Sequence, residues 1–218
     1  MIKENLERIF NDIKKGNDLG EEITLVGATK TVTADRINEA VKDGLKVVAE
    51  NKVQEFREKT DLIVGAEQHF IGHLQTNKVK YLIGKISLIQ SVHSFELAEE
   101  ISRLSVKKEV TTSILLEVNI GEEESKSGFK VEDIEAVADN ISTLPNVKTV
   151  GLMAMLPPSD DEEFLANLCR KMRSAYDKLK EKGYDFKYLS VGMSGDYKIA
   201  IKNGSNMIRV GSGIFGKR

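Results

Sequence analysis

Lys30 ends the apolar run Ile23-Thr-Leu-Val-Gly-Ala-Thr-Lys30, and far along the chain Asn206-Met-Ile-Arg-Val-Gly-Ser-Gly213 reads as a second strand entering a glycine and hydroxyl turn. Small residues let backbone N–H groups approach an anion closely, and a serine hydroxyl adds a donor, so the Gly211/Ser212 turn has the chemistry of a phosphate cradle. A similar loop, Gly192-Met-Ser194-Gly195-Asp196, precedes a short helix whose free N–H groups can face the same anion. A lysine at a buried strand end is desolvated, which favours the neutral amine that imine formation requires. An amine beside a phosphate seat invites an aldehyde-bearing phosphate ester. Arg209, two residues before Gly211, points along the same strand face and needs an acceptor: a ring nitrogen of a bound cofactor, or a structural Asp or Glu. Ordinary turn chemistry and a surface lysine are the bland alternatives, and the pairing of the two loops is what argues against them.

Other residues invite chemistry less. Gly211-Ser-Gly213-Ile-Phe-Gly216 satisfies the G-x-G-x-x-G dinucleotide pattern, but the sequence stops at Arg218, before the helix and acidic residue that pattern requires. His69 and His73 are four apart, which suits zinc on a helix, whereas their segment reads as a strand and a glycine turn. His93 ends a strand, and Cys169 lies among apolar positions of a long helix as a small core residue. The Ser125-Lys126-Ser127 loop reads equally as a solvated turn or a lid, and Lys78 is equally ambiguous.

The elements that must position these residues alternate. Ile2, Leu6, Ile9, Phe10 and Ile13 recur at helical spacing and stop at Gly16, predicting an extra N-terminal helix. Strands are then expected at 23–29, 46–49, 69–71, 86–92, 113–120, 147–153, 188–191 and 207–210. Helices are expected at 35–43, 51–63, 77–83, from a Ser94 cap through Leu104, at 131–141, after a Ser159 capping box up to Gly183, and at 197–201. About eight strand-then-helix units predict a single (β/α)8 TIM barrel spanning 1–218, with a doubly wound open sheet as the structural alternative. Active sites in such barrels sit at the C-terminal ends of strands, with phosphates after strands seven and eight, where both glycine loops fall.

Composition sets outer bounds. A formal charge of −2, from 32 basic and 34 acidic side chains, provides no net basic field for nucleic acid. One cysteine excludes an internal disulfide framework, no run approaches a membrane span, and the N-terminus lacks the apolar core of a secretory signal. These features predict a cytoplasmic protein, and we expect a monomer.

Several segments in order resemble the YggS/PROSC family of pyridoxal 5′-phosphate (PLP) binding proteins, homeostasis proteins related to the barrel domain of alanine racemase. They are Gly27-Ala-Thr-Lys30-Thr, Ala49-Glu-Asn-Lys-Val-Gln-Glu55 and His69-Phe-Ile-Gly-His-Leu-Gln-Thr-Asn-Lys78, followed by Val118-Asn-Ile, Glu124-Ser-Lys-Ser-Gly128, Gly151-Leu-Met-Ala-Met155, Ser190-Val-Gly-Met-Ser-Gly-Asp196 and Ile208-Arg-Val-Gly-Ser-Gly-Ile-Phe-Gly216. The resemblance implies a fold-type III PLP barrel without the C-terminal β domain. It further implies that Lys30 forms the internal aldimine, that Ser194, Gly195, Gly211 and Ser212 hold the phosphate, that Arg209 approaches the pyridine nitrogen, and that Asn51 and Met193 line the ring. An arginine there disfavours a protonated pyridinium and makes the cofactor a poorer electron sink. Departures are Ala49 for the family's glycine, Ser212 for its threonine, and Thr31-Val-Thr in place of Thr-Lys-Pro after the lysine.

Racemases of this type add a β domain supplying a second acid/base group, for which this sequence has no counterpart. Inversion needs groups on both faces of a bound amino acid. The implied function is therefore a non-catalytic PLP carrier or buffer, with PLP-dependent apo-enzymes as transient partners and an indirect effect on amino-acid and keto-acid metabolism. A PLP-dependent racemase or lyase is the first alternative, and a cofactor-free Schiff-base aldolase the second.

Overall fold

The computed structural model describes residues 1–123 and 126–216. Helix α1 (Ile2–Ile13) precedes strand β1 (Thr24–Ala28), and strands and helices then alternate: α2 (Ala34–Lys42), β2 (Val47–Glu50), α3 (Val53–Lys59), β3 (Glu67–Phe70), β4 (Leu88–Val92), α4 (Phe95–Lys107) and β5 (Thr112–Val118). They are followed by α5 (Ile134–Ser142), β6 (Val147–Ala154), α6 (Glu162–Glu181), β7 (Tyr188–Met193), α7 (Tyr197–Lys202), β8 (Met207–Val210) and the one-turn α8 (Ser212–Phe215). The strands form a closed parallel barrel in the order β1 to β8, so the open-sheet alternative is excluded. Closure is made by β1 on β8, with Val26 opposite Arg209 and Gly27 opposite Val210.

Alternation along the strands sorts the side chains. Val26, Val47, Ala49, Leu88, Leu115, Val150, Met153 and Met207 form one cluster, packed in the lumen. Their strand neighbours, such as Leu25, Val48, Ile114, Leu116, Ile208 and Val210, face outward into two apolar shells beneath the helices. Helix α1 buries Ile2, Leu6, Ile9 and Ile13 in the shell that also holds Ile208 and Ile214, and Asn5 donates to the Ile214 carbonyl at 2.9 Å.

The differences from expectation are local. Residues 77–83 form a 3-10 helix instead, Thr76–Tyr81, with Leu82 and Ile83 buried just beyond it. Helix α6 starts from Asp161, whose carboxylate accepts from the Phe164 N–H at 3.0 Å, while the expected cap Ser159 accepts from Asp161 N–H. A charged acceptor holds the helix start better than a hydroxyl. Starting there, the helix turns Ala166 and Cys169 inward and leaves Phe164 exposed, where the sequence put Phe164 in the inner stripe. The chain also finds room for a helical turn after Gly211, where a bare turn was expected.

Candidate functional site

Lys30, Asn51, Met193, Ser194, Gly195, Arg209, Gly211 and Ser212 all fall on or just beyond the C-terminal ends of β1, β2, β7 and β8, four consecutive strands of the closed barrel. Gly211 packs on the first strand so closely that a Cβ there would lie 3.2 Å from the Ala28 carbonyl oxygen. Lys30, two residues further on, is half-buried.

The residues flanking Lys30 are clamped. Thr29 donates its hydroxyl to Glu50 Oε1 at 2.5 Å, and its carbonyl accepts from Lys59 Nζ at 3.2 Å. Lys59 also donates to Glu50 and Glu55 at 2.9 and 2.7 Å, and Glu55 accepts the Thr31 N–H at 2.8 Å. Thr31 sits at φ 62, a strained left-handed conformation for a β-branched residue, and the Glu55 bond holds it there. Burial pulls the Lys59 pKa down, but its bonds to Glu55 and Glu50 outweigh this and raise it. The chain on both sides of Lys30 is thereby tied to an ion-paired anchor on β2 and α3.

The two glycine loops meet at one oxygen. Ser194 Oγ accepts from the N–H groups of Gly211 at 3.2 Å and Gly213 at 3.3 Å, so these amides already point at a common acceptor. Asp196 braces the same loop by accepting from the Met193 N–H at 2.5 Å. Beside them a cavity of 70 Å³ is lined by Ala28, Thr31, Gly211 and Ser212, and also by Arg36, which the sequence reading missed. Arg36 lies on α2 and donates to the Phe215 carbonyl at 2.7 Å, a long-range contact without a local sequence signal.

Arg209 is 4% exposed and points into the lumen. It donates to the Ser190 carbonyl and hydroxyl at 2.8 and 2.6 Å and to the Ala154 carbonyl at 2.9 Å. Among the described residues it makes no carboxylate contact at ion-pair distance, so the structural ion pair considered from sequence is not what holds it. Burial lowers its pKa to about 10, with Asp196 and Glu117 opposing the shift. Glu117, also unforeseen, lies on β5 at the lumen face; burial pushes its carboxyl up to about 7, partly offset by Arg209. Among the described residues its Oε2 has no hydrogen-bond partner, and the residue borders a cavity of 170 Å³ with Asn119, Lys126, Ser127, Met155 and Met193.

Asn51 offers another orphaned acceptor: its Oδ1 is buried without a partner among the described residues. The Asn51 backbone is seated against Gly72, where a Cβ would lie 2.7 Å from the Asn51 Cα. Ala49 is buried without a left-handed φ, so its extra methyl relative to glycine is accommodated. A polar groove of 410 Å³ lined by Lys52, Arg57, His73 and Lys78 adjoins Asn51. His73 stacks on His93 with ring centroids 4.4 Å apart. Of the loop carrying Lys126, Glu124 and Ser125 lie outside the described residues.

The alanine racemase N-terminal domain family model matches residues 2–218. A pyridoxal phosphate homeostasis protein of Aquifex aeolicus is 40% identical over 99% of this chain and 97% of its own length. The chain belongs to the pyridoxal phosphate homeostasis protein family. A second member of that family, from Escherichia coli, is 34% identical over 91% of this chain and 87% of its own length. Among solved structures, PipY of Synechococcus elongatus, a barrel of 28% identity solved with PLP bound, superposes with a TM-score of 0.85 over 99% of this chain and 100% of that one. An alanine racemase of Clostridium difficile shares the fold at a TM-score of 0.76 and 18% identity, this chain spanning 60% of its length.

Proposed function

We propose that this homeostasis-family chain binds PLP at the C-terminal mouth of its barrel and acts as an intracellular carrier and buffer of it, in the cytoplasm and as a monomer of one barrel domain. The observation that carries the reading is the convergence of the Gly211 and Gly213 amides on a single acceptor beside the loop that presents Lys30. The residues present fit the group: donors for a phosphate, an amine for an aldehyde, and in Asn51 Oδ1 a buried acceptor that no donor among the described residues meets. PipY, solved with PLP bound, supports the same reading.

When bound, PLP supplies an aldehyde that reacts reversibly with amines. Lys30 would supply the amine that meets this aldehyde, Ser194, Gly195, Gly211 and Ser212 would hold the phosphate, Met193 and Asn51 would flank the ring, and Arg209 would face the ring nitrogen. With its pKa still well above neutrality, Arg209 would donate a hydrogen bond to that nitrogen without protonating it, which suits storage and transient delivery to apo-enzymes better than carbanion chemistry. Replacing Ser194 and Ser212 together by Ala weakens cofactor retention while preserving the imine absorption at saturating PLP. Unchanged retention in that double variant removes the cradle.

One observation favours the racemase or lyase alternative. Glu117, with its carboxyl near neutrality, is a second proton-holding group facing the mouth. Assays with D- and L-amino acids under excess PLP separate the two readings: turnover lost in both Lys30→Ala and Glu117→Gln establishes the enzyme.

A further inference from the structure

Inside the barrel a file of polar side chains runs from Arg209 to the opposite mouth. Arg209 donates to Ser190 Oγ at 2.6 Å, Ser190 Oγ to Gln90 Oε1 at 2.7 Å, and Gln90 Nε2 lies 3.1 Å from His69 Nδ1. His69 Nε2 is 3.7 Å from the Glu67 carboxylate, whose side chain is 66% exposed at the start of β3. Ser190, Gln90 and His69 are all buried, and they cross the lumen from β7 to β4 to β3.

The file has one polarity because one end is a pure donor. A guanidinium has no acceptor, so Ser190 Oγ accepts from it and directs its single proton to Gln90. Gln90 must then present oxygen to Ser190 and its NH2 to His69, which makes His69 Nδ1 an acceptor and places the imidazole proton on Nε2, facing Glu67. Burial lowers the His69 pKa, in keeping with a neutral ring. Turning Gln90 around would strand the Ser190 hydroxyl proton without Gln90 as its acceptor and set the Gln90 oxygen against a bare His69 Nδ1, which is costly in a buried interior.

We propose that Gln90 and His69 are positioning residues for Arg209, fixing through Ser190 the orientation in which the guanidinium meets the cofactor's ring nitrogen. The proposal rests on the reading of Arg209 given above. It assigns a role to His69, the first residue of the His69-Phe-Ile-Gly motif, which touches no part of the site itself.

Two measurements test it. Nitrogen NMR of the histidine-labelled, cofactor-free protein reads the tautomer without any variant: a protonated Nε2 and bare Nδ1 at His69 are expected, and a protonated Nδ1 overturns the polarity. Gln90→Met, which fills the same space but cuts the file, is then compared with Arg209→Met in the PLP-loaded protein. The expected result is a shifted imine absorption and pH profile in both, with cofactor lost about tenfold faster, the equivalent of one hydrogen bond to a charged group. A Gln90→Met spectrum and release rate identical to the parent, while Arg209→Met alters both, overturns the positioning role. If Arg209→Met is itself without effect, it is the reading of Arg209 that fails, and the tautomer still decides the polarity.

Discussion

Glu117 makes the barrel mouth sensitive to pH. Its pKa rises from the ordinary 4.5 to about 7 because burial penalises the carboxylate more than Arg209 stabilises it. Between those values the folded chain holds a proton that the unfolded chain has released, so stability falls as pH rises through the window and stays lower above it. The full shift corresponds to about 3 kcal/mol. The difference in urea-unfolding stability between the parent and Glu117→Gln isolates this group from the other buried titrating residues, and it is expected to move in favour of the variant as pH rises from about 5 to about 7. A difference constant across that range would contradict the assignment. Glu117 was legible as a lone acid in the apolar run Ser113-Ile-Leu-Leu-Glu-Val118, but only the barrel geometry shows that it faces inward. Arg36 could not be read at all, and Ser194 was legible as a loop hydroxyl but not as the acceptor of the Gly211 and Gly213 amides, since both contacts are formed by tertiary packing.

Ion-paired side chains of β2 and α3 hold the chain on both sides of Lys30. Lys59 on α3 bonds Thr29, Glu50 and Glu55, and Glu55 in turn fixes the strained Thr31. Lys59→Met leaves the buried Glu50 carboxylate uncompensated, at a cost of about 3 kcal/mol, and frees the chain on both sides of Lys30. We expect a lower unfolding midpoint together with slower imine formation at equal PLP concentration. A destabilised variant with unaltered imine kinetics would show the clamp to be purely structural. The motif around Glu50 and Glu55 was visible in the sequence, but the involvement of Lys59, four residues past Glu55, was not. Periodicity located nearly every element because each helix buries a single stripe and each strand is covered on both faces. It misjudged 76–81 and the start of α6, where a short connection and a choice between Ser159 and Asp161 decide the outcome.

Across the whole molecule, closure by β1 on β8 brings the strand end that leads to Lys30 beside the strand that leads to Gly211. The sequence could propose that neighbourhood from the count of strand–helix units, but only the closed sheet establishes it. A ligand that binds only the closed barrel stabilises it by mass action, about 2.7 kcal/mol at a hundred times its Kd. PLP is therefore expected to raise the unfolding temperature, and added hydrogen-exchange protection should concentrate in the loops after β1, β2, β7 and β8. Protection confined to the side of β4 to β6 would place the cofactor elsewhere.

The bond between Lys30 and the cofactor aldehyde is best tested by borohydride reduction of the PLP-loaded protein followed by peptide mass mapping. A single stable adduct on Lys30, absent from Lys30→Ala, is expected. An adduct on another lysine, with Lys30 unmodified, would contradict it.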